Sequence, residues 1–173
     1  AWTGKNAVPM KMEQFSQFIE KRIGDFSVAP ETMTEDVSRF VTVNGGKEAI
    51  ADYATLLELS RGLKVNTESV VEEAQVLASG EGHLRFTSEN KTRNAAGGTV
   101  KVPTMFFIAI PIFNRGASYR LPVALRYRSI PGEGVVFWYE LQRHDLALDR
   151  AISESVAEVD DNTLASILFG QPE

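Results

Sequence analysis

The sequence predicts an α+β domain: an antiparallel meander of about five strands, two helices before it and one or two after it, with helices packed on one face. Three observations lead there. The apolar period is 3.6 as far as Gly62, changes to 2 between Lys64 and Arg143, and returns to 3.6 from His144. Four glycine-bearing turns cut the middle run into segments whose connections are short enough for hairpins. Charge follows the same division, since residues 83–143 carry nine Lys/Arg against three Asp/Glu and the rest of the chain nine against twenty.

Met12, Phe15, Phe18, Ile19 and Ile23 recur at helical spacing after Pro9, and Gly24 stands where a left-handed C-cap would end the helix. A short helix over 31–38 follows Pro30, and Asn44-Gly45-Gly46 breaks the chain. From Lys47, the positions Ile50, Tyr53, Ala54 and Leu57 predict a second amphipathic helix closed by Gly62. Strands are then expected from Val65 to Leu77, His83 to Arg93, Thr99 to Phe113, Tyr119 to Arg128 and Val135 to Arg143. The third of these is apolar on both parities, with Phe106, Ile108 and Ile110 against Met105, Phe107 and Ala109, so it should be covered on both faces. Pro103 and Pro111 each lack a ladder donor and mark a bend or an end of pairing. Leu146, Ile152, Val156 and Val159 then give a helix ending near Asp160-Asp161, with Asp161 or Asn162 capping a last short helix over 163–169.

Composition narrows the function classes. An apolar fraction of 43% and a charged fraction of 24% belong to a globular protein with a core of its own. The absence of cysteine rules out disulfides, thiol nucleophiles and cysteine-ligated metal sites. The longest apolar run, Met105 to Phe113, is far short of the ~20 residues a spanning helix needs, so no membrane association is expected. No signal peptide is visible, which fits a cytoplasmic location.

The opening Trp2-x-Gly4-Lys5, the run Met12-Glu13-Gln14-Phe15 with Phe18-Ile19-Glu20 and Asp25, and the stretch from Phe86 to Arg93 form one group of motifs. Val102-Pro103 with the apolar run to Pro111-Ile112-Phe113, and Leu121-Pro122-Val123-Ala124-Leu125-Arg126-Tyr127-Arg128, form another. Together they resemble the YfdQ-like family of phage and prophage proteins, a domain of unknown function, over essentially the whole chain. The resemblance implies a temperate-phage setting near genes for recombination or early DNA metabolism, inside a bacterial host cell. It also implies a further region before Ala1, so that residues 1–173 form a single domain at the C-terminal part of a longer protein. It supplies no catalytic residues.

No pattern in the chain is a catalytic signature, and neither a cofactor nor a metal is expected. His83 and His144 have no partner at ligand spacing. The adjacent carboxylates Glu72-Glu73 point to opposite faces of a strand and cannot share a proton. Gly46-Lys47 at a helix start could offer backbone N–H groups to an anion but lacks the phosphate-loop sequence. The sharpest candidate is a basic sheet face. Arg120, Arg126 and Arg128 share one parity of their strand, Arg85, Lys91 and Arg93 share the wet parity of theirs, and Trp138 offers a stacking surface. Three uses are open: a solvated face neutralised by neighbouring glutamates, binding of single-stranded DNA or RNA, or docking of a protein partner or a second copy whose acidic helices meet the basic sheet. The expected function is that of a non-enzymatic accessory protein acting by protein binding or self-association, with the single-stranded nucleic-acid binder as the alternative.

Overall fold

The structure is a computed structural model that describes residues 2–65, 70–76, 82–87, 99–130 and 134–163; for 64–65, 70–76, 82–87 and 99–100 it describes the backbone alone. In chain order the elements are a 3-10 turn (Thr3–Lys5), β1 (Met10–Lys11), α1 (Met12–Lys21), a 3-10 turn (Ile23–Asp25), β2 (Phe26–Ser27), α2 (Glu35–Val43), a 3-10 turn (Lys47–Ala49), β3 (Ile50–Ala51) and α3 (Tyr53–Val65). There follow β4 (Val70–Val76), β5 (Gly82–Thr87), β6 (Thr99–Val102), β7 (Met105–Pro111), β8 (Ser118–Ile130), β9 (Gly134–Leu141) and α4 (His144–Asn162). This is the expected α+β architecture, an antiparallel meander flanked by helices, although α2 packs on the face opposite α1 and α3 where helices on one face were expected, because both parities of β7 are apolar.

The meander runs through two sheets. β4, β5 and β6 form one, and the main sheet has the order β1-β9-β8-β7-β2, with β3 also pairing β7. Thr99–Phe113 is therefore two strands, divided at Pro103, which has no N–H to continue the ladder. The outer edge of β7 is shared by two short strands: Ser27 and Phe26 pair antiparallel with Phe107 and Ile108, and Ile50 and Ala51 pair parallel with Met105 and Phe106. No long strand edge is left open there.

Helix boundaries differ from expectation: the short helix expected over 31–38 runs from Glu35 to Val43, after its N-cap at Thr34, and α3 passes Gly62 to end at Val65. The helix expected from Lys47 begins at Tyr53, because Ile50 and Ala51 are drawn into the sheet and the Asp52 carboxylate then accepts the Thr55 N–H at 2.8 Å as an N-cap. That N–H holds the Asp52 carboxyl below its usual range. α1 ends at Lys21 and passes into a 3-10 turn containing Gly24, which has no left-handed conformation. Asp160 and Asp161 stand in the last turn of α4, not at the start of another helix. The segment expected as a last helix lies outside the described residues from 164 onward.

The larger core sits between α1, α3 and one face of the main sheet. Phe15 and Ile19 of α1 and Leu56, Leu59 and Leu63 of α3 pack on Phe106, Ile108, Val123, Phe137 and Tyr139. The Ser16 and Ser60 hydroxyls lie 3.0 Å apart in the buried seam where the two helices meet, and both are small enough to let the backbones approach. Trp2 closes one end: its ring meets Phe18 and Tyr139 edge-on, each at 4.9 Å, its Nε1–H donates to Asp25 at 2.7 Å, and its carbonyl accepts the Tyr139 hydroxyl. The opposite face carries a smaller cluster of Met105 and Phe107 under Val41 and Ala49, flanked by Val37 and Phe40 of α2. β7 is thus covered on both faces, as its two apolar parities require.

Candidate functional site

The second face of the sheet is only partly covered, and the uncovered part has a defined shape. α2 starts at Thr34, whose side chain accepts the Val37 N–H, and it ends at Asn44 and Gly45-Gly46, both glycines having positive φ. It lies over Met105, Phe107 and Pro122. α4 begins where β9 stops and continues beside the N-terminal half of β8: the Gln142 N–H donates to the Pro122 carbonyl at 3.0 Å, and the Tyr119 hydroxyl donates to Glu154 at 2.5 Å. Between α4 and residues 27–37 there remains a groove of about 640 Å³. Phe107, Ala109, Arg120 and Pro122 line its floor, Pro30, Met33 and Val37 one wall, and Leu146, Ala147 and Arg150 the other.

Arg143 ties the ends of the two walls together. It stands in the left-handed region at φ 49°, and its guanidinium reaches Asp36 in the first turn of α2 at 2.6 Å and Asp145 in the first turn of α4 at 3.3 Å. The Arg143 guanidinium, through its hydrogen bonds, holds the Asp145 carboxyl below its usual range. Further along, Glu154 accepts from both Tyr119 and Arg150, and these two donors lower its pKa while the Tyr119 phenol is raised. Arg120 differs from these neighbours. Its guanidinium, on the groove floor, has no ion pair or hydrogen bond with the described residues.

α4 itself has two apolar stripes. Ala151 is fully buried, and half-buried Ala147 packs against the large core. Leu148, Ile152 and Val159, at i, i+4 and i+11, instead form an outward row with exposures of 43%, 41% and 47%, and half-buried Val156 stands beside them. Of the stripe that announced the helix in the sequence, Leu146, Ile152 and Val159 are therefore exposed and Val156 is half-buried.

The residues expected to form one basic surface are dispersed. Arg120, Arg126 and Arg128 do share the α2 side of β8, but Pro122, beside α2, and Ala124 are buried between Arg120 and Arg126. Arg126 donates to the Asn44 side chain at 3.1 Å and lies 3.8 Å from Glu140, so its charge is engaged inside the fold. Trp138, opposite Arg126 in register, is half-buried and donates its Nε1–H to the same Glu140 at 3.0 Å. Arg128 is exposed opposite Val136, with no side-chain partner among the described residues. Arg85 is on β5, where Glu73 and Thr99 are its register partners. Lys91 and Arg93 lie outside the described residues. His144 is exposed at the start of α4, and among the described residues no three His, Asp or Glu come together as a metal-holding group.

The groove, the outward row of α4 and the Arg143 bridge were not singled out from sequence. The apolar second parity of β7 was the available signal for the groove floor. A second, smaller depression of about 450 Å³ lies on the other side of residues 27–33, lined by Phe26, Val28, Met33, Ile50 and Tyr53. No curated protein and no solved structure matches the chain. A family model matches residues 1–172, and on that match the chain belongs to the uncharacterized conserved protein family DUF2303.

Proposed function

We propose that this chain is a phage or prophage accessory protein that works by protein association, in the first place with copies of itself, through the outward face of α4. The resemblance to YfdQ-like proteins supplies the phage setting. The carrying observation is the aligned exposure of Leu148, Ile152 and Val159 on a helix already anchored through Ala151. Single exposed apolar residues are ordinary, but an aligned row on a fixed helix presents a contact stripe of the kind helix pairing uses. Light scattering over a wide concentration range tests this: the wild-type mass should rise toward a dimer, while Ile152→Asp stays monomeric with an unchanged thermal transition. A wild type that remains monomeric at its solubility limit contradicts self-association.

One observation favours the nucleic-acid reading enough to keep it second. Arg128 is an exposed, unengaged cation on the same face as Trp138, whose ring is half-exposed. Arg120 is too far away to join that patch, eight residues along the strand from Arg128 or ~27 Å. A mobility shift with single-stranded oligonucleotides should appear at low salt, fade steeply as salt rises, and weaken in Arg128→Ala. No shift at low salt removes this reading.

A further inference from the structure

Resting on the association reading above, we infer that the receptor for the outward face of α4 is the groove of a second copy, with Arg120 as the cation that meets its acidic rim. The complementarity has three parts. The groove is walled by Met33, Val37 and Leu146 over a floor of Phe107 and Pro122, and about 640 Å³ accommodates apolar side chains without admitting a whole helix of ~10 Å diameter. The outward row supplies such side chains at helical spacing over a 19-residue element, ~28 Å long.

Charge supplies the second part. On α4, Asp149 and Asp160 flank the row on the side of Val156, and the last turn holds Asp160 and Asp161 with no basic residue. Negative charge there opposes the helix dipole, and neither aspartate has an ion pair among the described residues. A cation brought by a partner relieves that repulsion. Arg120 stands on the floor of an apolar groove, where removal of water strengthens a charge pair, and nothing among the described residues already neutralises it. Arg126 and Arg143, in contrast, are committed to Glu140 and to Asp36 and Asp145.

The third part is symmetry. α4 forms a wall of its own groove, so a two-fold exchange sets the two α4 helices side by side and makes each contact twice. Like charges facing across such a contact are strongly disfavoured, which makes charge exchange the decisive experiment. Arg120→Glu should weaken the dimer at least about tenfold, measured by sedimentation. Asp149→Lys or Asp160→Lys in the same chain should restore part of the loss, and thermal melts should show that all variants are folded. A dimer that is lost in Ile152→Asp but unaffected by Arg120→Glu overturns the groove assignment and leaves the α4 reading standing. Double variants no tighter than Arg120→Glu alone overturn the Arg120 pairing. A wild type monomeric at every concentration removes both the reading and the inference.

Discussion

On the α1 side of the main sheet, Phe15, Phe106, Phe137 and Tyr139 are sequestered completely, and Phe15 stacks on Phe137 with ring centroids 5.1 Å apart. On the α2 side, full burial extends over Met105, Phe107 and their neighbours and then gives way to a groove, an unengaged arginine and an ion-paired one. Both faces belong to the same three long strands, so the difference lies in what covers them. Two helices cover the first face, whereas the second has the nine-residue α2, the turn at Ala49 and, along the groove wall, α4. On the association reading proposed above, stability and contact fall to opposite sides of one sheet, and changes on the second face should have little effect on folding.

The widest gap between the faces should appear when apolar side chains are truncated. Phe137→Ala leaves a cavity in a region with no room to collapse and should cost about 3–5 kcal/mol. Val37→Ala, at a half-buried position on the groove wall, should cost under about 1.5 kcal/mol. Urea unfolding with an unchanged slope checks both, and equal losses would show that the two faces share one core.

A finer contrast lies within the first face, between two tyrosines. Tyr139 donates to the Trp2 carbonyl, which also accepts the Lys5 N–H, so Tyr139→Phe removes one buried hydrogen bond without orphaning the acceptor and should cost about 0.5–1.5 kcal/mol. The Tyr127 hydroxyl is buried without a partner among the described residues, and Tyr127→Phe should be neutral or stabilising by up to about 1 kcal/mol. Burial also pushes the Tyr139 phenol up to about 12. Its folded pKa is raised above the unfolded value near 10, so its contribution is complete below pH 10 and is lost as pH rises from there through about 12. Urea midpoints should fall across that window in the wild type and fall less in Tyr139→Phe.

Periodicity made most of the scaffold legible. The 3.6 stripe of Phe15 and Ile19, the strand parities of β8 and β9, and the double parity of β7 all reappear as expected contacts. What escaped was decided by competition between partners far apart in the chain. Ile50 and Ala51 fit a helical pattern, but β7 offers them a free edge. Leu146 and Ile152 look like part of a buried stripe, yet Ala147 and Ala151 are the α4 residues packed inward. The basic face was correct in parity and incomplete as a surface, because no local pattern announces that α2 will lie across Pro122 or that Asn44 and Glu140 will engage Arg126.

Amide hydrogen exchange followed across protein concentration addresses the contact role of α4 most directly. Residues 144–162 should exchange more slowly as concentration rises, while β7, β8 and β9, already protected by the large core, should not change. Exchange in α4 that is independent of concentration, or protection that rises uniformly through the chain, would contradict the assignment of α4 as the contact helix.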